Sequence, residues 1–112
     1  CINNLQRNKK LSSSFAGYEI KSNFWMKFKN NYKLIIPASE TKKPRQNRKI
    51  IYREDCGVAL ASRLLSLKNS SKIFSKPFKI TPYSGVRGLV DIHSKDDLKL
   101  AEVLIKKFKL KI

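Results

Sequence analysis

Histidine, cysteine and acidic side chains are all scarce in this chain of 112 residues: one His, two Cys, and eight Asp and Glu against 25 Lys and Arg. Each shortage closes a class of function. A structural zinc site takes about four Cys or His ligands at short spacing, and Cys1 and Cys56 lie far apart with one histidine between two ends of the chain. Neither a metal nor a disulfide framework is expected, and a reducing compartment fits. No run approaches the roughly 18 apolar residues that span a bilayer, and nothing reads as a cleavable secretion signal, so no membrane partner is expected. Glycine is also rare, at four residues, and no phosphate-binding glycine loop or Ser or Cys nucleophile signature occurs, so no cofactor and no small-molecule substrate are expected. A chain that opens on cysteine is expected to have been processed or trimmed before residue 1, or else to use an unusual start codon; the basic INNLQRNKK that follows argues against a lipidated start.

What the chain has in excess is positive charge. The formal net charge is +17, beyond the magnitude of about 2 to 8 that solubility asks of a small domain. A compact chain of one sign repels itself unless a polyanion is near, which makes nucleic acid the first partner to consider and an anionic membrane surface the second. Residues 1–49 carry 12 basic and 2 acidic side chains, net +10, and residues 50–112 carry 13 and 6, net +7. Abundant Lys, Asn, Ile and Ser suggest an AT-rich gene, compatible with an organellar genome.

The pattern along the chain divides near residue 48. Residues 1–17, with Ser12-Ser13-Ser14 ending at Gly17, cannot bury enough apolar area to offset their ordering entropy and read as an arm. YEIKSNFWMKFKNNYKLIIP, residues 18–37, sets Phe24, Trp25, Phe28 and Tyr32 among Lys21, Lys27, Lys29 and Lys33, and ASETKKPRQNRK, residues 38–49, is a basic linker with Pro44 at its middle. Residues 1–48 are therefore expected to form a basic, partly extended, RNA-contacting arm that orders in its assembly.

From residue 49 the periods of regular structure appear. KIIYRE reads as a strand, and Asp55 as the N-cap of a helix over about residues 56–68 with Val58, Ala61, Leu64 and Leu65 on one stripe. Residues 74–83 alternate as a strand, with Pro77 marking an edge or a strand start. Residues 88–93, GLVDIH, read as another strand, and Ser94 with Asp97 as a capping box ahead of Leu98, Ala101, Leu104, Ile105 and Phe108; LKI is left as a last strand. The order β-α-β-β-α-β predicts an α+β, ferredoxin-like domain over residues 49–112, with Val90, Ile92 and the α-helical stripe buried against Leu64 and Leu65.

RNA-recognition domains share that order and stack bases on a K/R-G-aromatic-x-aromatic strand. Arg87-Gly88 matches its start, but Leu89 and Asp91 occupy the stacking positions, so a base-stacking platform is not expected on this sheet. The stretch Arg87-Gly88-Leu89-Val90-Asp91-Ile92, followed by a helix and a basic end, resembles the tenth small-subunit ribosomal protein family, whose corresponding strand reads like K-R-L-I-D-I. The resemblance implies a ferredoxin-like fold and binding to ribosomal RNA and neighbouring proteins of the small-subunit head. That family's long hairpin and P-L-P-T-K-like stretch have no counterpart here, so the likeness points to the class of small basic organellar ribosomal proteins.

Catalysis finds little support in these residues. His93 is a lone strand-end histidine, Asp96-Asp97 falls in the first turn of a helix, where negative charge complements the dipole, and Glu54-Asp55 has the same explanation. No catalytic residue is assigned and the chain is expected not to be an enzyme. The expected function is a structural RNA-binding component of a ribonucleoprotein, a mitochondrial ribosomal protein stabilising ribosomal RNA, with neighbouring ribosomal proteins as further partners and a cytoplasmic ribonucleoprotein as the alternative location. Its RNA contacts are assigned to Arg7, Lys9, Lys10, Lys27, Lys29, Lys33, Lys42, Lys43, Arg45, Arg48, Lys49, Arg53, Lys79 and Arg87. The rivals are a stand-alone DNA- or RNA-binding regulator and a small basic nuclease or toxin.

Overall fold

The computed structural model describes residues 1–109, apart from the side chains of Arg87 and Leu89. The described chain is α+β. Its first half holds α1 (Ile2–Arg7), β1 (Ser13–Ile20), β2 (Trp25–Phe28), β3 (Asn31–Leu34) and α2 (Ala38–Thr41). After these come β4 (Ile51–Glu54), β5 (Leu60–Ser62), α3 (Leu64–Lys68), β6 (Phe78–Tyr83) and α4 (Lys95–Phe108). Two compact units form, Cys1–Pro82 and a second that begins at Tyr83. The boundary expected at residue 48 is not where the chain divides, because the first segment supplies the strand on which the larger unit is built.

That strand is β1. It pairs antiparallel with β4, Gly17 opposite Glu54 and Ile20 opposite Ile51, and antiparallel with β5, Ser13 opposite Ser62 and Phe15 opposite Leu60; β6 pairs with it as well. Between the Gly17–Glu54 and Phe15–Leu60 pairs, Ala16 alone faces residues 55–59. The Asp55 amide donates to the Ala16 carbonyl at 2.9 Å and the Ala16 amide to the Ala59 carbonyl at 2.8 Å, so the ladder continues across a large bulge. This pairing explains why no helix covers residues 56–68: residues 60–62 are taken up by the sheet, Gly57 and Val58 form the bulge tip, and only Leu64–Lys68 remain helical.

Residues 11–18 contain the whole buried apolar core of the described chain: Leu11, Phe15, Ala16 and Tyr18. On one side Phe15 packs against Phe74 and Phe78, with ring centroids 4.7 and 5.2 Å apart. Ser13 and Ser14, read from composition as part of a solvated arm, are fully buried, and every hydroxyl is satisfied. Ser14 Oγ donates to the Lys79 carbonyl at 2.9 Å and lies 3.1 Å from Thr81 Oγ1, while Asn4 Nδ2 of α1 donates to both hydroxyl oxygens. Ser13 Oγ accepts from Ser62 Oγ and from the Ser75 amide. Arg63 ties α1 down by donating to the Leu5, Asn8 and Leu11 carbonyls, the shortest at 2.6 Å. The arm reading of residues 1–17 therefore fails, because small hydroxyl side chains let a central strand approach its neighbours on both faces once each polar atom has a partner.

The second unit departs from expectation at its start and meets it at the beginning of its helix. Val86–Leu89 form a 3-10 turn in place of a strand, with the Gly88 amide donating to the Gly85 carbonyl at 3.1 Å, and residues 90–93 join no strand. Gly85 holds φ +97, a left-handed conformation suited to glycine. The β-α-β-β-α-β order from residue 49 is consequently not the order formed. α4 begins as predicted: Ser94 Oγ accepts from the Asp97 amide, and the Asp97 carboxylate accepts from the Ser94 amide at 2.8 Å. None of its residues is buried and Ile92 is 56 % exposed, so Val90, Ile92, Leu98, Ala101, Leu104, Ile105 and Phe108 make no enclosed core within this unit; in the larger unit Leu65 is 74 % exposed. The last strand predicted for LKI lies outside the described residues.

A methyl group at Gly17 would meet Ile80 Cγ2 at 2.5 Å and Tyr52 Cβ at 3.2 Å, whereas one at Gly57 meets nothing within 4 Å. Gly17→Ala is expected to lower unfolding free energy by about 1–3 kcal/mol, as overpacking does, and Gly57→Ala to change it by less than about 0.5 kcal/mol; denaturant titration reads both. Ser94→Ala is expected to cost α4 about 1 kcal/mol, read as lost helicity by circular dichroism.

Candidate nucleic-acid interface

Residues 24–35 alternate apolar and basic side chains, and the chain reverses at Lys29-Asn30, where Lys29 adopts φ 53. β2 and β3 form an antiparallel hairpin with Trp25 opposite Leu34, Met26 opposite Lys33, Lys27 opposite Tyr32 and Phe28 opposite Asn31. Because side chains alternate along a strand, Trp25, Lys27, Tyr32 and Leu34 share one face, and Met26, Phe28, Asn31 and Lys33 share the other. Neither face is enclosed. Trp25 is 60 % exposed, Phe28 63 % and Tyr32 67 %. Two strands alone are marginal in water.

At the hairpin's root, Phe24 and Ile35 join Ile20, Ile36, Ile51, Tyr52 and Arg53 in lining an apolar cleft of about 260 Å³. Beside it runs a cleft of about 190 Å³, lined by Lys21, Arg48, Lys49 and Glu40 among others. The linker of residues 38–49 is folded around Glu40, which is buried. Its carboxylate accepts from Lys43 Nζ at 2.8 Å and from the Lys49 amide at 3.0 Å, and these bonds, the Lys43 bond foremost, hold its pKa below the usual 4.5. Arg48 closes the same loop, donating to the Lys43 and Thr41 carbonyls and to Asn23 Oδ1.

The basic residues assigned from sequence thus fall into two sets. Lys27, Lys29 and Lys33 are gathered on the hairpin, exposed, and in none of the ion pairs among the described residues. Arg7, Lys9, Lys10, Lys42, Arg45, Lys49 and Lys79 are exposed. Lys43 is paired with Glu40, and Arg48 holds the linker. Arg53 forks onto Asp55, Nε to Oδ1 at 3.0 Å and the terminal nitrogen to Oδ2 at 2.9 Å, with its guanidinium 5.1 Å from the Tyr18 ring centre. Lys43, Arg48 and Arg53, assigned to RNA from the sequence, thus each also hold an intramolecular bond. Asp55 correspondingly anchors Arg53 instead of capping a helix. The side chain of Arg87 lies outside the described residues. The hairpin itself was missed; the alternation on both sides of Lys29-Asn30 was the available signal.

Burial, aided by the Glu54 carboxylate 3.3 Å away, pushes the Cys56 thiol up to about 11 and keeps it protonated at neutral pH. Asp97 is held below its usual value by the Ser94 hydroxyl first and by the His93 and Ser94 amides, and His93 stands exposed with Nδ1 3.4 Å from Asp91. Among the described residues no three His, Cys, Asp or Glu side chains form a group that could hold a metal, and no helix is long and apolar enough to cross a membrane. Comparison with protein-family models gives no match, and comparison with curated proteins gives none.

A carboxylate whose folded pKa is depressed contributes stability above its unfolded value and loses it as pH falls through the folded one. The Lys49 amide resonance should therefore hold its bonded position at neutral pH and move only below pH 4.5, with Glu40→Gln abolishing that transition; an unaltered titration in the variant would refute the Glu40 anchor.

Proposed function

We propose that this chain is a structural, non-enzymatic RNA-binding component of a ribonucleoprotein, and that the particle is a mitochondrial ribosome in which it stabilises ribosomal RNA beside neighbouring ribosomal proteins. The observation that carries this reading is the solvent-exposed hairpin bearing Trp25, Phe28 and Tyr32 together with Lys27, Lys29 and Lys33, in a chain of net charge +17. Lysines without carboxylate partners attract phosphate and release its counterions, and exposed rings supply surface for bases or sugars. An organellar setting draws support from the richness in Lys, Asn, Ile and Ser. The likeness of residues 87–92 to the tenth small-subunit family adds no weight, since Val86–Leu89 form a 3-10 turn and not the strand that the motif occupies in that family.

The salt dependence of RNA affinity tests the reading. Replacing Lys27, Lys29 and Lys33 together by Gln should flatten the logarithmic salt slope by about 2 units, at about 0.7 per phosphate of a single strand. Arg45→Gln should act in the same direction, while Arg53→Gln, whose guanidinium is held by Asp55, should leave the slope unchanged. Sedimentation of the tagged full chain with mitochondrial ribosomal particles tests the proposed particle. An unchanged slope in the triple variant overturns the hairpin as the RNA contact, cleavage of the RNA favours the nuclease, and a tight defined site on naked nucleic acid favours the solitary regulator.

A further inference from the structure

The two faces of the hairpin differ in chemistry. On one, Trp25 and Tyr32 occupy diagonal positions and Lys27 stands directly across from Tyr32. Diagonal neighbours on one face of an antiparallel pair are about 7–8 Å apart, close to twice the roughly 3.4 Å rise of stacked bases. A base needs that separation to lie between two rings. No ring–ring contact joins Trp25 to Tyr32 among the described residues, and both rings are more than half exposed. The opposite face carries Met26, Phe28, Asn31 and Lys33, with neither Trp nor Tyr.

We infer that the Trp25–Tyr32 diagonal is a binding site for an unpaired nucleobase, with Lys27 holding the phosphate of the same strand. The site rests on the RNA-binding reading and adds its ligand class: single-stranded RNA, taken by stacking and therefore with little preference among bases. A duplex fits poorly, because its bases are already stacked on one another and present only their edges in the grooves. Lys27 and Lys29 supply the charge complementarity, and in none of the ion pairs of the described residues is either one engaged.

Trp25 is the only tryptophan of the chain, so tryptophan fluorescence, excited where tyrosine does not absorb, reports on this site alone. The 112-residue chain is titrated with three polyanions: short unstructured oligoadenylate, an RNA duplex of equal length, and inorganic polyphosphate, which carries the charge without bases. Oligoadenylate is expected to quench Trp25 strongly, and polyphosphate to bind without quenching. Tyr32→Ala should weaken oligoadenylate binding about tenfold while Tyr32→Phe, which keeps the ring, should not. Tyr32 is 67 % exposed, so neither change disturbs the core. RNA binding with no Trp25 quenching, equal quenching by polyphosphate, or a Tyr32→Phe variant as weak as Tyr32→Ala overturns the stacking site and leaves the RNA-binding reading standing. Failure of every polyanion to bind overturns both, and directs the hairpin to a protein partner.

Discussion

Burial of β1 on both faces is the constraint on which the rest of the larger unit depends. A strand enclosed from both sides cannot leave a polar atom unpaired, and this one carries two serines where a core strand ordinarily carries Val or Ile. The solution is a set of mutual hydroxyl and amide bonds in which Asn4, Ser14 and Thr81 join α1, β1 and β6, while Ser13, Ser62 and Ser75 join β1, β5 and the approach to β6. The small side chains bring the elements close, and Gly17 carries the same logic to its limit beneath Ile80. α1 is held from outside by Arg63, and the Phe15, Phe74 and Phe78 rings fill what the serines leave.

Arginine and lysine divide the positive charge between them. Arg48, Arg53 and Arg63 are each engaged by two or more acceptors within the protein, a role suited to a planar fork that presents several donors at fixed angles. Lysine, a hydrated point charge on a flexible stem, is left mostly in solvent, and Lys43 on Glu40 and the exposed Lys99–Asp96 pair are the lysine ion pairs of the described residues. The number of basic residues therefore overstates the donors left open to a partner, although each engaged arginine keeps its charge, and the hairpin differs because its three lysines keep no such internal duty.

The hairpin and the sheet meet opposite demands. The serine hydroxyls of β1 are enclosed by the fold, whereas β2 and β3 hold one another and expose Trp25, Phe28 and Tyr32. Exposed rings on a two-stranded element are costly to leave in water, and they are what a stacking partner uses. The buried strand and the exposed rings thus lie in adjacent segments, separated by only four residues between Ile20 and Trp25.

From the sequence alone, elements governed by neighbours along the chain were legible: α4, whose capping box and helical stripe are local, the turn at Ser84-Gly85, the strand character of residues 51–54 and 78–83, and the pairing of aromatics with lysines in residues 24–33. The α+β class followed from these. What only the tertiary structure decided was the part that depends on residues far apart. Ser13 and Ser14 belong to a core strand because Asn4, Ser62, Ser75, Lys79 and Thr81 arrive to satisfy them, and no local pattern records that. Residues 56–62 have a helical stripe, yet sheet pairing with Ser13–Phe15 takes their backbone bonds and leaves Leu64 and Leu65 in solvent. Arg48 and Arg53 likewise read as free charge until folding places the acceptors of Lys43, Thr41 and Asp55 around them. Local propensity is written in consecutive residues, whereas the satisfaction of a buried polar atom is a property of the packed chain.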